Sequence, residues 1–118
     1  MEDHRQHPRY AIELDAEILS GVERWTGRTR DLSIGGFCVL MSAPLPVSTP
    51  CEVRLALVFE SGHFSEQLHL PATVVWCTPV GRQFQVGVKF GPLDAQSLGY
   101  LSVFLHFLDE AGGVEGAQ

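Results

Sequence analysis

The sequence predicts a mainly β domain of about six short antiparallel strands, closed into a barrel or a sandwich, with one helix at the C-terminal end. Three observations predict it. Apolar and polar residues alternate with the two-residue period of a strand in several stretches. Gly, Pro and Ser clusters separate those stretches at short intervals. Only after Pro92 does the apolar spacing change to that of a helix.

Residues 1–9 carry no hydrophobic period and contain Pro8, which holds His7 extended, so they are expected to form a flexible arm. Tyr10 to Leu19 alternates: Ile12, Leu14, Ala16 and Ile18 point one way, Glu13, Asp15 and Glu17 the other, as in a strand with one wet face. Ser20-Gly21 turns the chain, and Trp25 to Leu32 returns as the second strand. Asp31 to Gly36 is a turn in which Asp and Ser side chains can bond nearby backbone and Gly tolerates positive φ; it delivers a third strand, Phe37 to Met41. Pro44, Pro46 and Pro50 mark a loop. Glu52 to Phe59 reads as the fourth strand, followed by a hairpin loop near Ser61-Gly62. Leu68 to Thr78 and Gln83 to Phe90 form a last pair joined by Pro79 to Arg82. Asp94 is the expected N-cap of a helix whose stripe Leu98, Leu101, Phe104, Leu105 and Leu108 should close one end of the sheet, while Tyr100, Val103 and Phe107 add apolar surface on other faces. That surplus suits either a monomer that buries it or a weak homodimer. Ala111-Gly112-Gly113 ends the helix, leaving residues 111–118 as a disordered tail beyond a domain at 10–110.

A chain of 118 residues is one domain, and 45% hydrophobic with 19% charged residues places it among soluble globular proteins. Its first residues are too polar for a signal peptide and its apolar runs too short to span a bilayer, so a cytoplasmic location without membrane insertion is expected. Cys38, Cys51 and Cys77 lack the spacing of a metal or redox motif and read as buried free thiols, and the five histidines offer no close ligand pair for zinc. The net charge of −6 disfavours generic DNA or RNA binding, whose affinity comes from neutralised phosphates. The distribution of charge says more. Of the eight Lys and Arg residues, five are arginines in the first thirty positions, namely Arg5, Arg9, Arg24, Arg28 and Arg30. An acidic body with an Arg-rich end points to a small anionic ligand, because guanidinium matches phosphate and guanine edges and stacks on aromatic planes. Arg5 and Arg9, four apart, share a face whether the arm is extended or helical, close enough to converge on one compact ligand, against the alternative of a solvated basic tail.

Arg5-Gln6-His7-Pro8-Arg9, a strand, and then Asp31-Leu32-Ser33-Ile34-Gly35-Gly36 between two later strands together resemble the paired RxxxR and DxSxxG signature of the PilZ domain family. The resemblance runs on through Gly87-Val88-Lys89-Phe90 and the C-terminal helix. It implies a six-stranded antiparallel β-barrel with a C-terminal α-helix, acting as a receptor for the bacterial second messenger cyclic di-GMP, with no further cofactor. It also implies the roles of the residues. Arg5 and Arg9 would grip phosphates and guanine Hoogsteen edges while stacking on the bases. Asp31 would accept from guanine N1–H and the exocyclic amine, which rejects adenine. Ser33 and the backbone around Gly35 and Gly36 would hold phosphate or base. Trp76 stands where some members place a stacking residue, against the alternative of a tryptophan in the barrel core. His4 precedes the RxxxR motif at the position associated in the family with binding one or two nucleotides.

An arm that folds over the ligand would switch an interaction with an effector protein in trans, and the ordering would consume about 1–2 kcal/mol per residue of the arginine interaction energy. The alternative is a PilZ-like interaction module that binds no nucleotide and docks through its helix. An enzyme fits poorly, since Ser33 lacks a nucleophile elbow, no histidine has an identifiable orienting carboxylate and no phosphate-binding glycine loop is present.

Overall fold

The computed structural model describes residues 7–58 and 67–110. Its elements are strands β1 (Tyr10–Ala11), β2 (Asp15–Ser20), β3 (Glu23–Ser33), β4 (Gly36–Met41), β5 (Pro50–Leu55), β6 (Leu68–Val80) and β7 (Gln83–Phe90), followed by helix α1 (Ala95–Glu110). Every pairing is antiparallel. The order β3-β2-β5-β6-β7-β4 returns to β3 through the β3–β4 pairing, so six strands close into a barrel, and β1 is an added two-residue strand on the second half of β3.

Closure follows from the alternation in the sequence. Ile18, Leu32, Val39, Val53, Leu55, Leu70, Val74 and Val86 all point inward and are fully buried. Each such side chain contributes about 1.5–3 kcal/mol of apolar burial. Helix α1 covers one end against β1 and β6, with Leu101, Phe104, Leu105 and Leu108 in the core. Asp94 caps it: the Ser97 N–H donates to Asp94 Oδ1 at 2.7 Å.

Four expectations need correction. The run Tyr10 to Leu19 is two strands, because the fully buried Thr29 inserts its hydroxyl between them. Thr29 Oγ1 accepts from the Leu14 N–H at 2.9 Å and donates to the Ile12 carbonyl at 2.6 Å, taking the place of ladder partners. The strand after the proline loop starts at Pro50 and ends at Leu55 rather than Phe59; a proline at a first strand position costs the ladder little. Leu98 is exposed, and Ser97 lies in the buried stripe instead. Gly35 and Gly36 do not use positive φ, which among the described glycines falls to Gly21 and Gly81. A Cβ on Gly36 would overlap the Val88 carbonyl oxygen, so glycine is required there by the close approach of β7. The Ser61-Gly62 hairpin and the 111–118 tail lie outside the described residues.

Candidate functional site

Strand register carries the site. Asp31 pairs with Cys38, Cys38 with Gly87 and Gly87 with Trp76, so these four residues form one row across β3, β4, β7 and β6 on the outside of the barrel. Three strand spacings separate its ends, about 14 Å. A second row, Ser33, Gly36 and Lys89, lies beside it toward the β3–β4 turn, and Leu40 and Gln85 pair on the other side. The middle of this face is floored by small residues and its ends carry Asp31 and Trp76.

Two bulges aim those ends. In β3 the register shifts between Thr29 and Asp31, leaving Arg30 without a partner on β4 and setting Arg30 and Asp31 consecutively toward the outside. In β6 the register shifts between Val74 and Trp76, with Val75 unpaired. Without that extra residue Trp76 would continue the inward series Leu70, Ala72 and Val74. With it, the indole lies across Gly87 on the outer face, so close that a Cβ on Gly87 would overlap the ring. Of the two expectations for Trp76, the core position is excluded.

Arg9 reaches the site because β1 pairs Tyr10 with Leu32 and Ala11 with Asp31. Its guanidinium lies 3.5 Å from Asp31 Oδ2. The other carboxylate oxygen, Asp31 Oδ1, is buried and has no hydrogen-bond partner among the described residues. An orphaned buried acceptor is uncommon and costs about 1–3 kcal/mol. Ser33 holds the turn itself: its Oγ accepts from the Gly35 N–H at 3.1 Å and donates to the Gly36 carbonyl at 3.3 Å. The Cys38 thiol on the floor has its pKa raised by burial, against a hydrogen bond from Gln85 that lowers it.

Two clefts flank the Arg9–Asp31 pair. One, of about 430 Å³, runs from Arg9, Ser33 and Gly36 to Trp76 and Lys89, with His7 at its rim. The other, of about 500 Å³, has Arg30, Asp31 and Gln85 in its walls. Both are of small-molecule size. A third cleft of about 420 Å³ lies over β2, β3 and β5 and includes Arg28 and Arg54. Its arginines are spoken for, Arg28 by Asp15 at 3.0 Å and Glu13 at 3.3 Å, and Arg54 by Glu52 at 2.8 Å.

The barrel therefore brings together Arg9, Asp31, Ser33, Gly35, Gly36 and Trp76 on one face; Arg5 and His4 lie outside the described residues. Sequence reasoning missed His7, Gln85, Lys89 and the absence of any ion pair between Arg30 and the described residues. The alternation of β7 does turn Gln85, Gly87 and Lys89 outward, but their neighbours follow only from the β4–β7 pairing. Among the described residues no cluster of His, Cys, Asp or Glu is placed to hold a metal ion, and no helix is long and apolar enough to cross a membrane.

The chain matches the family model of the PilZ domain over residues 3–107. No match is found among curated proteins. Of solved structures, it is similar to the Bacillus subtilis inhibitor of motility MotI/DgrA, with a TM-score of 0.78 and 17% identity over 94% of this chain and 52% of that one. It is also similar to the PilZ domain of Escherichia coli YcgR with c-di-GMP, with a TM-score of 0.69 and 14% identity over 92% of this chain and 95% of that one. The Klebsiella pneumoniae MrkH–c-di-GMP complex gives a TM-score of 0.74 and 16% identity over 95% and 55%. The chain thus spans about half the length of the MotI and MrkH chains. At these identities the likeness is one of fold.

Proposed function

The chain belongs to the PilZ domain family, and on that premise we propose that it is a receptor for cyclic di-GMP, bound on the outer face of β3, β4, β7 and β6. The observation that carries the reading is Asp31. A carboxylate with one oxygen on a guanidinium and the other buried without a partner is suited to accept from N1–H and the exocyclic amine of guanine. The rest of the face supplies what the remainder of such a ligand needs. Arg9, with Arg5 from the same arm, grips phosphate and the Hoogsteen edge; Lys89 and His7 add positive or donor groups at the same cleft; the backbone of Gly35 and Gly36 lines it; and Trp76 offers an indole plane for stacking. The function is binding rather than turnover, exercised in the cytoplasm. The relatives of known structure with c-di-GMP, YcgR and MrkH, support the ligand class.

The arm then acts as a latch. The nucleotide competes for Asp31 and Arg9 and draws residues 1–9 over the face, and the surface so formed is read by an effector in trans. Limited proteolysis that cut the arm equally with and without ligand would count against the latch. A second reading, an interaction module without nucleotide, is favoured by one feature of α1, where Val103 is 61% exposed. Calorimetric titration with cyclic di-GMP, with cyclic di-AMP as control, decides between them. Saturable binding of the guanine ligand alone is expected; absence of heat at high micromolar ligand would favour the interaction module.

A further inference from the structure

We infer that Gln85 is a second base-reading residue, donating from its side-chain amide to O6 of the guanine whose other edge atoms Asp31 accepts. The inference rests on the cyclic di-GMP reading and deepens it. Asp31 and Gln85 are walls of the same cleft of about 500 Å³, and both adjoin Cys38, Asp31 as its partner across β3–β4 and Gln85 through a hydrogen bond from Nε2 to the Cys38 Sγ at 3.2 Å. That bond leaves the amide under-used. A thiol is a weak acceptor, the second N–H of Nε2 is uncommitted, and no hydrogen bond to the Gln85 carbonyl oxygen occurs among the described residues. Asp31, whose Oδ1 has no hydrogen-bond partner among the described residues, stands on β3, on the opposite side of β4 from Gln85 on β7. Guanine alone among the bases presents, along one edge, two donors followed by an acceptor. A carboxylate on β3 and an amide donor on β7, in the walls of one cleft, are the complement of that edge. Adenine reverses both matches: its N1 faces the carboxylate and its N6 amine faces the Gln85 N–H, and turning the amide over would replace the N–H bond to Cys38 by one from the weakly donating thiol.

The test is a cycle on the full chain with two ligands, cyclic di-GMP and cyclic di-6-thio-GMP, in which sulfur, a poor acceptor, replaces O6. The Gln85 bond should contribute about fivefold to the preference of the wild-type protein for the oxygen ligand, the size of one neutral hydrogen bond, beyond what the arginines at the Hoogsteen edge add. Gln85→Leu, which keeps the bulk and removes the donor, should bind cyclic di-GMP about fivefold more weakly and show a preference about fivefold smaller than that of the wild type. A general loss of packing would weaken both ligands equally and leave the preference standing. Gln85→Glu, closer in shape and carrying an acceptor, runs the same comparison if the leucine variant fails to fold, and should lose the same share of the preference, about fivefold. Retention of the full preference by either variant, or wild-type affinity in Gln85→Leu, overturns the inference while leaving the receptor reading in place. Failure of the wild-type protein to bind cyclic di-GMP overturns the receptor reading itself.

Discussion

Arg9 and Asp31 meet at 3.5 Å across 22 positions of sequence, and they meet through one carboxylate oxygen only. The pair is partly exposed, with side chains 32% and 17% accessible, so its own worth is about 0–1 kcal/mol. The burial of Oδ1 without a partner costs more than that, about 1–3 kcal/mol. Asp31→Ala should therefore leave the ligand-free protein as stable as the wild type or somewhat more so, while abolishing cyclic di-GMP binding. Urea unfolding and calorimetry on the same sample check the two halves. A variant destabilised by more than about 2 kcal/mol would assign Asp31 to the fold instead of the ligand.

Gly36 is required by packing, since the atoms its Cβ would strike, the Val88 carbonyl oxygen and the Lys89 Cα, are backbone and cannot rotate away. Gly36→Ala should destabilise the barrel by about 3 kcal/mol or more through separation of β4 from β7. Gly99, inside α1 with nothing near its Cβ position, provides the opposite case. Gly99→Ala should stabilise by about 0.5–1 kcal/mol through helix propensity. Thermal unfolding of both variants gives the comparison directly.

What the sequence made legible was local. The Asp31–Gly36 turn, the bounds of β7 and the Asp94 cap each rest on residues within a few positions of one another. What it hid was set at long range. The break between β1 and β2 is made by a hydroxyl fifteen residues away from Leu14, and no alternation within Tyr10 to Leu19 records it. The side of the sheet taken by Trp76 depends on one unpaired residue, Val75, and two-residue periodicity run through that point gives the wrong face. The DxSxxG glycines look like turn glycines, yet Gly36 answers to a strand fifty residues later in the chain. Gln85 and Lys89 join the site only once β7 is known to lie beside β4.

Arg28 and Arg30 share an outward direction and differ in what holds them. Arg28 is bound to Asp15 and Glu13, whereas Arg30 sits at the β3 bulge beside Asp31 with no ion pair to any described residue. The Arg28 pairs are well exposed and worth at most about 1 kcal/mol. Arg28→Ala should cost that or less in stability and leave nucleotide affinity unchanged. Arg30→Ala should leave stability within about 0.5 kcal/mol and weaken cyclic di-GMP binding, with a shallower salt dependence. Equal affinities for the two variants would separate the bulge from the site.

The Asp94 carboxyl is held below its ordinary pKa near 3.8, first by the Ser97 N–H it accepts. A group whose pKa is depressed on folding stabilises above its unfolded value and loses that contribution as pH falls through the folded one. Asp94→Ala should thus lower the melting temperature at neutral pH. The difference from wild type should stay constant down to about pH 5 and shrink below the ordinary carboxylate pKa. A difference that persisted unchanged to the lowest pH at which both remain folded would show that the charge plays no part in the cap.

Trp76 and Gly87 are matched across β6 and β7, the indole occupying the space that any side chain at 87 would need. Gly87→Ala must lift the ring, because the overlap is with a side chain that can swing outward rather than with backbone. The lifted indole is more hydrated, so its fluorescence should shift to the red, and cyclic di-GMP affinity should fall because the stacking plane has moved off the cleft that reaches Arg9 and Lys89. The loss of stability should be about 1–3 kcal/mol, and adding Trp76→Ala should recover most of it, since the clash then has no partner. Recovery of stability without recovery of binding is the expected signature. A double variant as unstable as Gly87→Ala alone would mean that the glycine serves the β7 backbone and not the indole.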